Sequence, residues 1–257
     1  MIGYQVRAWL ADWRAGHAAA ERQARAELAR DEAAIGSRRG VSLGPAARRF
    51  VGHPSPWLLG ALLAGAGTGR VLVGDYRVSD AVTPLVMLAA FPVFEWLVHV
   101  GILHWRPRRL AGVTLDPLLA RKHRAHHADP RDVPLVFIPW QALLWLLPAY
   151  TLIAVFGFPR LGLGLTFLTV VGALGLGYEW THYLIHSDYR PRGRLYRAVW
   201  RNHRLHHYKN EHYWFTVTSA GTADRLFGTY PDPQTVPSSP TVKALHAREA
   251  EVSPGRH

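Results

Sequence analysis

Residues 161–186 read LGLGLTFLTVVGALGLGYEWTHYLIH. Nothing charged interrupts the stretch before Glu179, and it exceeds the ~20 residues an α-helix needs to cross a bilayer core. Its last eight residues then bring Glu179, His182 and His186. The two histidines stand four apart, so a helix carries both rings on one face. A membrane-crossing helix that ends in two stacked imidazoles is the reading from which the fold follows.

Three more apolar blocks precede it, at roughly 55–74, 81–103 and 134–156. The block PLVFIPWQALLWLLPAYTLIAVF (134–156) is the clearest. The first is the weakest, because Arg70 sits inside it; the expectation is a helix that stops short or carries Arg70 out to the interface. Charge orders these blocks. Of 30 Lys and Arg, all except Arg70, Arg77 and Arg160 fall before residue 55, between 104 and 132, or after 186. Four crossings arranged as two hairpins put those three basic regions on one side, the cytoplasmic side by the positive-inside rule. The expected fold is therefore all-α: an integral-membrane bundle of about four transmembrane helices with a cytosolic helical cap. A cell (inner) membrane of a bacterium is the expected location.

The flanks read differently. Residues 4–35 are rich in Ala and Arg, lack Pro, and space Val6, Trp9, Leu10 and Trp13 as a helix does. They are expected to form an amphipathic interfacial helix, giving an N-terminal segment over 1–50, a membrane-embedded domain over 51–230, and a loosely ordered Pro/Ser-rich tail over 231–257. The net charge of +12 calls for an anionic partner. Beside predicted spans that partner is lipid head groups and not nucleic acid. Cysteine is absent, so disulfides, iron–sulfur clusters and thiolate metal sites are excluded.

Ten of the 15 histidines fall into four groups: His99 with His104; His123, His126 and His127 in RKHRAHH; His182 with His186; and His203, His206 and His207 in RNHRLHH. In H-x2-H-H the spacings are i, i+3 and i+4, so all three rings can face one pocket. His99 and His104 are five apart, which a regular helix serves poorly; a loosened last turn before Pro107 would bring them together. All four groups lie at the basic end of the spans. Imidazole is a ligand for Zn, Cu, Fe and Ni. Ten rings exceed one tetrahedral structural site, and two ions with about five nitrogens each fit the number. A carboxylate can orient a ligating ring; Glu95 lies four before His99 and Glu179 three before His182. Asp188, Asp224 and His212 are further residues expected to orient rings or face substrate.

The order and spacing of these boxes resemble the fatty acid hydroxylase/sterol desaturase superfamily of integral-membrane di-iron enzymes. The stretch HHYKNEHYWFTVTSAGTADRLFGTY (206–230) is similar to the end of its hydroxylase members, where the last box precedes Asp-x-x-Phe-Gly-Thr, here Asp224 to Thr229. The resemblance implies that His99, His104, His123, His126, His127, His182, His186, His203, His206 and His207 hold two iron ions, with zinc able to occupy the same nitrogens. It implies O2 as co-substrate and hydroxylation of a C–H bond in the acyl tail of a lipid drawn from the bilayer. Carotenoid ring hydroxylation and sterol desaturation use similar boxes and stand as alternatives. His53-Pro54 is followed by Ser55-Pro56, not by the Gly-Gly of a fused haem motif, so electrons are expected from a separate donor of ferredoxin or cytochrome b5 type.

Overall fold

A computed structural model of the protein describes residues 41–247 together with Ala15, Arg22 and Ala26. Apart from those three, which are helical, the expected helix over 4–35 lies outside the described residues. The described part is helical. It runs α1 (Leu43–Phe50), α2 (Pro54–Val73), a 3-10 turn (Val78–Ala81), α3 (Val82–Val98) and a π turn (His99–Leu103). After the short strands β1 (Arg108–Leu110) and β2 (Val113–Leu115) come α4 (Leu118–Ala128), α5 (Val133–Val136), α6 (Trp140–Phe156), α7 (Leu161–His186), α8 (Arg194–Tyr208) and α9 (Thr222–Leu226). The strands pair antiparallel, Arg108 opposite Leu115.

Among the described residues, four helical stretches are long and apolar enough to cross a membrane: Pro54–Val73, Val78–Leu103, Val133–Phe156 and Leu161–His186. Their outer faces carry bare apolar side chains, among them Trp145 at 82 % exposure and Leu72 and Phe156 at 80 %. Patches of this extent are a liability in water and ordinary against lipid tails.

α7 is the axis. At its 26 residues it is about 39 Å long, and α2, α3 and α6 all pack on it. Its glycines permit this. A Cβ at Gly172 would stand 2.9 Å from the backbone nitrogen of Leu63 on α2, and one at Gly164 would collide with the Ala154 carbonyl on α6. Where apolar side chains gain nothing by leaving lipid, close backbone approach is what holds helices together.

Arg70 lies in the last turn of its helix. α2 continues past it to Val73, and the guanidinium is buried. It pairs with Asp75 at 3.1 Å and Asp80 at 2.9 Å, donates to Thr166 Oγ1 and lies 3.9 Å over the Tyr76 ring. Arg160 joins the same two carboxylates. Two arginines and two aspartates thus tie the end of α2 to the start of α7, opposite the histidine end of the bundle.

The expected loose tail is corrected, as far as residue 247. Val236, Val242 and Leu245 are buried. The segment is fastened by Ser239 N–H to the Lys209 carbonyl at 2.7 Å, Asn210 Nδ2 to the Pro237 carbonyl at 3.1 Å and Thr241 Oγ1 to Glu211 at 2.5 Å. Its Pro and Ser residues suggested disorder by composition. Three apolar side chains at irregular spacing, invisible to a periodicity reading, give it something to bury.

Candidate metal centre

The helices bring all ten expected histidines together in two sets. His99, His104, His123, His127 and His206 form one; His126, His182, His186, His203 and His207 form the other, and within each set one ligand atom per ring lies within 4.8 Å of the rest. The sets interleave the two H-x2-H-H boxes. On α4, His123 and His127 (i, i+4) go to the first set and His126 to the second. On α8, His203 and His207 go to the second and His206 to the first. Positions i and i+4 are stacked along a helix whereas i+3 is rotated to their side, so each box faces both sets at once.

The five-residue gap between His99 and His104 is met by the π turn. His104 N–H reaches the His99 carbonyl at 3.0 Å, the i→i+5 bond of that geometry, and the ring centroids stand 5.1 Å apart.

Backbone carbonyls fix the rings. His99 Nδ1 meets the Phe215 carbonyl at 2.6 Å, His127 Nδ1 the Val242 carbonyl at 3.0 Å, His182 Nδ1 the Val136 carbonyl at 2.8 Å and His206 Nδ1 the Tyr213 carbonyl at 2.8 Å. A carbonyl only accepts, so Nδ1 carries the proton and a neutral ring presents a bare lone pair at Nε2. Nε2 atoms of the ten rings meet in pairs: His99 to His123 at 3.1 Å, His104 to His206 at 3.2 Å, His127 to His123 at 3.2 Å, His126 to His186 at 3.2 Å and His207 to His203 at 3.0 Å. His182 Nε2 is buried with no hydrogen-bond partner among the described residues. In three of these pairs one member, His99, His127 or His206, presents a bare Nε2 lone pair to another ring nitrogen, an arrangement that a shared cation satisfies. Two nitrogens each 2.0–2.1 Å from one ion and at right angles are about 3.0 Å apart, so the donor set fits a metal ion in each.

Glu95 and Glu179 act one step removed from the rings. Glu95, buried on α3, accepts Val217 N–H at 2.6 Å, Thr218 N–H at 3.0 Å and Thr218 Oγ1 at 2.8 Å. Two residues before Val217 is Phe215, whose carbonyl holds His99. Glu179 accepts Ile138 N–H at 2.9 Å, and two residues before Ile138 is Val136, whose carbonyl holds His182. The two halves repeat one construction: a carboxylate one turn before the first histidine of its box anchors a loop, and the loop's carbonyl sets the ring. Asp224 completes the first case. It accepts Phe215 N–H at 2.8 Å, Thr216 N–H at 3.0 Å and Thr229 Oγ1 at 2.8 Å, and bonds Thr216 Oγ1 as well.

This accounts for the Asp224–Thr229 motif. Phe227 stacks on Trp96 of α3 at 4.3 Å, Gly228 takes φ 71°, open to glycine without strain, and Thr229 accepts Trp96 Nε1–H at 3.0 Å. Trp214 is a non-glycine residue at φ 55°; that turn separates the Tyr213 and Phe215 carbonyls that hold His206 and His99.

Two expected residues are placed elsewhere. His212 is not brought to either set: its ring is 71 % exposed, with Nε2 3.6 Å from Glu211. Five residues past His207 the helix has ended at Tyr208, so helical spacing no longer predicts direction. Asp188 pairs with Arg131 at 2.6 Å, joining the exit of α7 to the loop after α4. Sequence reading missed the four carbonyls, which carry no residue signature, and buried Glu211.

Outside the spans, burial holds the imidazoles of His104, His123, His126, His127, His203 and His207 well below their ordinary range, with neighbouring histidines adding to the effect. Burial lowers His206 to about 4. A lowered imidazole pKa means the unfolded protein binds more protons between the folded value and ~6.5, so stability is complete above ~6.5 and falls with pH through that window. His206 alone contributes about 3 kcal/mol between pH ~6.5 and its folded value. Metal-free protein in detergent is expected to lose its thermal transition between pH 6.5 and 4; a constant melting temperature there would contradict the described burial.

The histidine end of the bundle opens into an apolar cavity of about 510 Å³ whose walls include Glu95 of α3, His99 and Ile102 of the π turn, Leu143 and Tyr150 of α6, and Phe167 and Tyr178 of α7. A ring of the first histidine set is part of its wall.

The family model described as fatty acid hydroxylase matches residues 84–229. Among solved structures, the one titled "Full length scs7p (only hydroxylase domain visible)" is similar, with TM-score 0.54 and 22 % identity over 70 % of this chain. This chain spans 66 % of that one, and at such identity the likeness speaks to the fold alone. No curated protein matches.

Proposed function

The chain belongs to the fatty acid hydroxylase family, and on that premise we propose that it hydroxylates an acyl tail of a membrane lipid at a pair of iron ions held by the two five-histidine sets. The observation that carries this reading is the continuity between His99 of the first set and the apolar cavity. Two bound irons supply the activation of O2 against an unactivated C–H bond; zinc suits the same nitrogens without that redox capacity.

The protein's own part is positioning and exclusion. Phe215, Val242, Val136 and Tyr213 carbonyls hold Nδ1–H, keeping Nε2 aimed inward. Glu95, Glu179 and Asp224 hold the loops that carry three of those carbonyls. The 236–245 segment lies against His127 and keeps bulk water from the rings, which protects a reactive oxidant from quenching. An acyl tail enters sideways from the bilayer, since α3 and α6 both rest on α7 and scarcely touch each other. Overall the substrate C–H, O2, two electrons and two protons give C–OH and water. The electrons come from a separate ferredoxin or cytochrome b5 type protein, docking on the basic face that the positive-inside rule assigns to the cytoplasm.

Lipid mass spectrometry of cells with and without the protein tests this. Wild type is expected to add lipids heavier by one oxygen, and His182→Ala to add none. Identical lipids in all three cultures contradict the hydroxylase reading.

A further inference from the structure

The cavity has a floor. Tyr150 and Phe167 line it and also belong to the packed cluster in which α2, α6 and α7 close around Ala66, Ala154 and Leu168. Their rings are 6.2 Å apart, and Phe158 braces Phe167 from behind at 5.1 Å. Open space therefore ends where these two rings begin.

Helix rise gives the depth. Tyr178 lines the histidine end and Phe167 the floor, eleven positions apart on α7, or about 16 Å at 1.5 Å per residue. Along α3 and into the π turn the span from Met87 to His99 gives about 18 Å by the same rise. An extended hydrocarbon with C–C bonds of about 1.5 Å advances ~1.25 Å per carbon, so the cavity takes about 13 carbons. A charged or polar head at that floor would be desolvated among apolar side chains, so the methyl end is the end that enters.

Resting on the hydroxylase reading, we infer that Tyr150 and Phe167 are the specificity-determining floor of the cavity, measuring the tail from its methyl end. The distance from floor to His99 then sets which tails place a C–H bond beside the histidines. Tails with about 13 carbons beyond the attacked position fit; longer ones are held back by the floor and shorter ones leave it unfilled.

Two substitutions move the floor in opposite directions. Phe167→Ala deepens the cavity. Val171→Phe raises the floor by one helical turn, about 6 Å, or up to about five carbons. Cells expressing each form are given saturated fatty acids of 12 to 20 carbons, and the hydroxylated products are sized by mass spectrometry. The expected result is a product peak displaced to longer acids by two or more carbons for Phe167→Ala and to shorter acids by up to five for Val171→Phe. Opposite displacements cannot come from general damage to the fold. Hydroxylated product in wild type, with the same peak in whichever variant accumulates, overturns the floor and leaves the hydroxylase reading standing. No product in wild type overturns that reading itself, and the inference with it.

Discussion

His207→Ala is expected to reduce lipid hydroxylation at least 100-fold while the protein still accumulates in the membrane. His207 stands at the junction of the two sets. Its ring lies 4.2 Å from His127 of the first and 4.6 Å from His203 of the second, and its Nε2 is 3.0 Å from that of His203. Loss of a group that only orients a ligand costs 10–100-fold, so loss of a donor nitrogen itself should cost no less. His212→Ala is the control, because that ring is 71 % exposed; its activity should stay within twofold of wild type. Comparable losses in the two variants would show that proximity in sequence, and not membership of a set, governs the effect.

Glu95→Ala carries the largest expected cost in stability. Its carboxylate accepts bonds from the buried Val217 amide and from the half-buried amide and hydroxyl of Thr218. A buried donor left without a partner costs about 1–3 kcal/mol, so the Val217 amide alone sets a loss of about 2 kcal/mol, to which the half-buried Thr218 amide adds. The same change frees the Phe215 carbonyl from its setting and with it His99. Thermal unfolding in detergent measures the first effect. Glu179→Ala should follow the same pattern with about half the loss, having one such amide, that of Ile138. A Glu95→Ala protein as stable as wild type would remove this loop from the account.

Much of this was legible in the sequence. The four apolar blocks and the spacing of the boxes required no tertiary information, because bilayer thickness and helical periodicity act locally. What spacing left open was direction. An H-x2-H-H run says that three rings share a side of a helix; it does not say that His126 joins a second set, apart from His123 and His127. Glu95 and Glu179 were legible as buried carboxylates beside their boxes, since a lone charge in an apolar helix must be answered. Their partners were not, because backbone amides of a distant loop have no residue code. The same holds for the Val242 carbonyl on His127, supplied by a segment whose composition suggested disorder.

The most direct test of the central claim, that two sets of five imidazoles each hold an ion, is the metal content of the purified, metal-saturated protein by elemental mass spectrometry. Wild type is expected to hold two ions per protein molecule, and a His126→Ala, His203→Ala double variant, in which only the second set is broken, one. One ion in wild type, or two in the double variant, would contradict it.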